Sequence, residues 1–126
     1  MFKDTPAFSG FSVNDQTAAK QFYSETLGVT VEEDEMGLIL HLNGTEVFVY
    51  AKENHVPASY TVLNFAVSDI DKAVDDLATK GITFETYEGM GQDDKAIARG
   101  KAAGMGPDIA WFKDPAGNIL SVLQED

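Results

Sequence analysis

Trp111-Phe112-Lys113-Asp114-Pro115-Ala116-Gly117-Asn118-Ile119-Leu120-Ser121-Val122-Leu123 reads as a strand, a tight turn and a returning strand. Pro115 presets φ for the turn, and Gly117 with Asn118 tolerates the left-handed backbone needed to close it. The same plan occurs earlier: Leu40-His41-Leu42, a turn at Asn43-Gly44, then Val47-Phe48-Val49-Tyr50. Two copies of one hairpin in a short chain point to an internal duplication.

The rest of the chain repeats as well. Phe11-Ser12-Val13-Asn14-Asp15 returns as Phe65-Ala66-Val67-Ser68-Asp69 at a shift of 54, and Gly28-Val29-Thr30 as Gly81-Ile82-Thr83 at a shift of 53. Gly44 then matches Gly117 at a shift of 73, because residues 88–108 are inserted in the second copy. Each copy is expected to run strand, helix, strand, strand, strand. In the first, residues 8–13 form a strand, Asn14 or Asp15 caps a helix carrying Ala19, Phe22, Tyr23 and Leu27, and Gly28 ends it. In the second, Val62 to Val67 is a strand and Ser68-Asp69 opens a helix, with Asp71 placed for a capping box. Ile70, Ala73, Val74 and Leu77 form that helix's buried face, and Ile82-Thr83-Phe84 is the next strand. Residues 88–108 hold five glycines and read as a mobile flap over a pocket, with a short helical turn around Asp94 to Arg99.

Composition limits the function. A chain of 126 residues, 44% hydrophobic, is read as one domain with a real core: module one about 6–52, a linker about 53–59, and module two about 60–126. It has no apolar run long enough to span a membrane, and its first residues lack the features of a secretory signal. Cysteine is absent, which removes disulfides, thiolate nucleophiles and Cys-based metal sites. A cytoplasmic location is the expectation. The formal charge of −12 repels phosphate backbones, so nucleic acid is not an expected partner, while a cationic small ligand would be drawn inward.

Phe22-Tyr23 with Leu27-Gly28, Phe65 to Asp71 and Trp111 to Asn118, in that order and with the duplication, resemble the vicinal oxygen chelate superfamily of glyoxalase I, bleomycin-resistance proteins and extradiol dioxygenases. The resemblance implies an α+β fold of two tandem βαβββ modules forming an open, barrel-like cleft, commonly in a homodimer. It also implies four slots that hold His, Gln or Glu metal ligands in the family's enzymes. Here those slots carry Phe8, Phe48, Val62 and Ser121. A phenyl ring or an isopropyl group has no lone pair for a divalent ion, and one neutral hydroxyl cannot hold an ion alone. No metal and no other cofactor is expected.

Strand alternation puts Phe8, Gly10 and Ser12, then Glu46, Phe48 and Tyr50, on the cleft face of the first module. In the second it puts Val62, Asn64 and Ala66 with Ile119, Ser121 and Leu123 there. Trp111 and Tyr87 add an aromatic wall with polar handles. The expected ligand-binding set is therefore Phe8, Phe48, Tyr50, Val62, Asn64, Trp111 and Ser121, and the expected ligand a small organic molecule, cationic or aromatic. No catalytic residue stands out. A lyase or isomerase of glyoxalase type would need displaced ligands such as His41 or Glu46, and a site drawn from His41, His55, Glu46 and Asp108 has no ligand-like spacing. An idle interaction module is the third reading.

Overall fold

A computed structural model describes residues 1–126, which fold as two compact units, Met1–Val56 and Pro57–Asp126. Unit one contains β1 (Ser9–Val13), α1 (Gln16–Gln21), a π-helical turn (Phe22–Thr26), β2 (Thr30–Glu33), β3 (Leu38–Leu42) and β4 (Thr45–Ala51). Unit two contains β5 (Thr61–Ala66), α2 (Ile70–Thr79), β6 (Ala98–Arg99), α3 (Gly100–Ala103), β7 (Asp108–Lys113) and β8 (Ile119–Gln124). Each unit has its own open four-stranded sheet, in the orders β1-β4-β3-β2 and β5-β8-β7-β6. In both, the first strand runs parallel to the last and the hairpin strands are antiparallel. The chain is therefore α+β and built from two copies of one plan.

Local chemistry starts the two longer α-helices. Asp15 caps α1 by accepting from the Ala18 N–H at 3.1 Å, and Asp69 caps α2 by accepting from the Lys72 N–H at 3.1 Å. On sheet one, Val13, Leu38, Leu40, Val47 and Val49 are buried on one face. Tyr23, also fully buried, packs against Phe11 with ring centroids 6.2 Å apart. In unit two, Ile70 and Val74 of α2 are buried together with Ala110, Phe112, Leu120 and Val122 of the β7–β8 hairpin. Burying these alternate positions leaves the other face of each sheet open.

The turn between β7 and β8 is held by Asp114, which is 4% exposed. Its carboxylate accepts from the backbone N–H groups of Ala116 and Asn118, both at 2.9 Å, and from the Asn118 side-chain amide at 3.0 Å. Gly117 takes the left-handed conformation the turn requires, at φ 86°.

Four sequence expectations are corrected. Ile82-Thr83-Phe84 forms no ladder: Phe84 packs edge-on against Phe112 at 5.8 Å, the Ile82 N–H donates to the Leu77 carbonyl at 3.1 Å, and just beyond it the Glu85 N–H donates to the Trp111 carbonyl at 2.8 Å. The expected turn at Asp94 to Arg99 is not helical. Asp93 accepts from the N–H groups of Lys95 and Ile97 at 2.9 Å each, closing a tight turn that leads into β6, and α3 follows β6. Nor is this part of the insertion a free flap, because Ile97 is fully buried and Ala98–Arg99 pairs with Ile109 and Asp108 of β7. Asp71 makes no capping box. Its carboxylate is taken by Arg99, whose Nη2 lies 2.8 Å away, and by Lys95 at 3.3 Å, which straps the insertion to α2.

Candidate ligand-binding faces

On the open face of sheet one, Phe48 of β4 pairs with Ile39 of β3 on one side and with Gly10 of β1 on the other. Its ring stacks on Tyr50 at 5.6 Å and 20°. Gly37 lies beneath it, and a Cβ there would sit 3.2 Å from the Phe48 ring and 2.5 Å from the Val49 carbonyl oxygen. The absence of a side chain at 37 thus seats the ring. A pocket of about 350 Å³ opens beside it, walled by Phe8, Met36, Ile39 and Phe48 and edged by Asp34 and Glu46. Phe8 is 71% exposed and Met36 75% exposed. Large apolar side chains left in water around one pocket mark an interaction surface. Asp34 orients Met36 by accepting from its N–H at 2.8 Å.

His41 lies on the same face, with Nε2 2.9 Å from Glu32 and Nδ1 2.9 Å from Glu46. Ser12 Oγ is 2.7 Å from Nδ1 of His55, which ties the segment after β4 back to β1.

The equivalent face of sheet two is built around Trp111. It pairs with Ser121, and Ser121 pairs with Asn64. The fully buried Ser121 hydroxyl donates to the Asn64 side-chain oxygen at 2.5 Å. Tyr87 crosses Trp111 edge-to-face at 5.4 Å. Gln92 fixes that crossing: its side-chain oxygen accepts from the Tyr87 N–H at 2.7 Å, and its amide donates to the Glu85 and Ala96 carbonyls at 2.8 Å each. The Tyr87 hydroxyl is buried without a partner. Burial, then the negative Glu85, raise its pKa above the ordinary tyrosine value, with Lys113 opposing. A pocket of about 290 Å³ lies here, among Tyr60, Thr61, Tyr87, Met90, Trp111 and Ile119.

Phe8 and Phe48 therefore share one pocket with Tyr50 stacked alongside, while Trp111, Ser121 and Asn64 occupy one rung of the other sheet. Val62 is displaced from its expected place. The register shifts between Thr61 and Leu63, so Thr61 pairs with Ile119 and lines the pocket in place of Val62. Alternation counted along the sequence loses its phase at such a bulge. Sequence reasoning also missed Ile39, which could have been found from the β3–β4 register opposite Phe48, and Met36, which lies in the bend before β3. It missed Tyr60, Thr61, Met90 and Gln92, whose places depend on long-range folding.

The four slots do not fit a metal ion. Three carry hydrocarbon side chains, and the hydroxyl of the fourth is donated to Asn64. No group of three or more His, Asp or Glu side chains is arranged to hold an ion elsewhere in the structure.

Two sheets of this one topology in tandem, with residues 88–108 inserted ahead of the second hairpin, set the class of protein. The chain belongs to the Glyoxalase/Bleomycin resistance protein/Dioxygenase superfamily, whose sequence profile matches residues 8–122. It is 29% identical over 131 residues to the uncharacterized protein YurT of Bacillus subtilis, covering 90% of this chain and 93% of that one. A superfamily member from Sphaerobacter thermophilus superposes at a TM-score of 0.70 with 24% identity, covering 99% of this chain and 100% of the other. TnmS3, an antibiotic binding protein from a Streptomyces species, does so at 0.68 with 24% identity and 98% coverage of both chains.

Proposed function

We propose that this protein binds a small organic molecule, cationic or aromatic, on the open sheet face around Phe48, and works by holding that molecule rather than by metal-dependent chemistry. The carrying observation is the pocket bounded by Phe8, Met36, Ile39 and Phe48, with only carboxylates, Asp34 and Glu46, at its edge. Aromatic faces are electron-rich, and flanking carboxylates add to their attraction for a cation with apolar surface. The antibiotic-binding role of the neighbour TnmS3 is compatible with this use of the fold. Tyr50 extends the aromatic surface, and Asn64, Trp111 and Ser121 form a second binding face on the other sheet. In this reading the protein is a cytoplasmic homodimer that needs no cofactor.

The test is a calorimetric screen of planar organic cations against neutral and anionic analogues, with metal analysis of the purified protein alongside. Phe48→Ala should weaken the best cationic ligand by roughly 10- to 100-fold, the loss expected for one buried phenyl group. A stoichiometric divalent ion accompanied by a large thermal stabilisation would instead favour a lyase or isomerase with displaced ligands.

A further inference from the structure

We propose that the pocket on sheet two is an aromatic cage for a methylated ammonium group. This extends the binding reading to the second unit by naming a ligand class, and its test reads a different residue.

The cage is assembled from three separate parts of the unit. β7 buries Ala110 and Phe112, so Trp111 between them points to the open face. The segment leaving α2 is pinned by the Glu85–Trp111 backbone bond and by Gln92, which lays Tyr87 across the indole. Tyr60, 70% exposed, stands just before β5 at the mouth, with Met90 at 44% exposure. Glu88 is the one charged side chain of the lining, and no Lys or Arg is part of it.

These walls select among cations. A bare ammonium or a guanidinium requires several convergent acceptors for its N–H groups; Glu88, Ser59 and Thr61 can accept, but the aromatic faces and the thioether of the wall cannot. A quaternary ammonium has no N–H to satisfy, and it spreads its charge over methyl groups that rest against aromatic faces. The Glu88 carboxylate and the net charge of −12 favour the cation over a neutral ligand of equal shape.

Trp111 is the only tryptophan of the chain, so its fluorescence reports on this pocket. The full-length protein is titrated with choline, tetramethylammonium and 3,3-dimethylbutan-1-ol, the neutral isostere of choline. Saturable changes are expected with both cations, and the alcohol should bind at least about tenfold more weakly. Tyr60→Leu, at a largely exposed position, should keep its melting temperature and weaken choline severalfold, while Met105→Ala, an exposed position outside both pockets, should leave choline affinity unchanged. Equal binding of the alcohol, absence of a saturable change with either cation, or unchanged choline affinity in Tyr60→Leu each overturns the cage. Failure of the cage leaves the Phe48 pocket to be judged by its own ligands.

Discussion

Replacing Asp114 with alanine should destabilise the second unit more than any other change of a charged side chain to alanine there. The carboxylate accepts three N–H groups, two from the backbone at 2.9 Å and one from Asn118 at 3.0 Å, and Asp114 and Asn118 are only 4% and 2% exposed. Hydrogen bonds to a charged acceptor contribute about 1.5–3 kcal/mol each, and donors left unmade when buried add their desolvation cost. The three share one acceptor, and water can enter a turn, so the combined loss is about 3–4 kcal/mol rather than a full sum. That is a large part of the ~5–15 kcal/mol that holds an ordinary domain together. Urea unfolding followed by Trp111 fluorescence reads the same hairpin. With a slope of about 1.5–2 kcal/mol per molar, the midpoint should fall by about 2 M. Asp114→Asn keeps an acceptor for the backbone but turns an amide toward the Asn118 amide, so it should fall in between. Asp4→Ala, at an exposed position, should change stability by less than about 0.5 kcal/mol. A midpoint for Asp114→Ala within about 0.3 M of the parent would refute the assignment of the turn to this carboxylate.

Gly37→Ala should cost about 1–3 kcal/mol and shift the Phe48 ring, because the new Cβ would meet the Val49 carbonyl at 2.5 Å and that ring at 3.2 Å; an unchanged Phe48 ring environment by NMR would contradict this. The Asp71 carboxyl, held down first by its hydrogen bonds to Arg99 and then by those to Lys95, should titrate at about 2 in the folded protein. A depressed carboxyl pKa stabilises the fold above the unfolded value of about 3.9, and this contribution disappears as pH falls through the folded value. The strap over residues 92–99 should therefore loosen between pH of about 4 and 2, and Arg99→Met should raise the Asp71 midpoint toward the ordinary range. A carbon-detected titration of Asp71 that is the same in both proteins would dismiss the strap.

Much of the fold was legible because its signals are local. Asp15 and Asp69 sit where caps belong, Gly28 and Gly81 follow their helices, and the Asp-Pro-Ala-Gly-Asn turn announces a hairpin. The pocket around Phe48 was partly legible for the same reason, since alternation across an uninterrupted ladder places Phe48 and Tyr50 on one face. The inserted segment was misjudged as a mobile flap because Arg99 meets Asp71, 28 residues away in sequence, and no local pattern records that pairing.

By itself, then, the sequence determined the duplicated hairpin plan, the helix starts and the absence of metal-ligating groups from the four family slots. Those depend on residue identity and short-range backbone preference. Only the tertiary structure decided that Thr61 replaces Val62 at the pocket wall, that Ser121 donates to Asn64, and that Gln92 lays Tyr87 over Trp111. A bulge resets the two-residue period, and a buried polar atom takes whichever partner the folded chain brings near, so neither result is encoded in any single stretch.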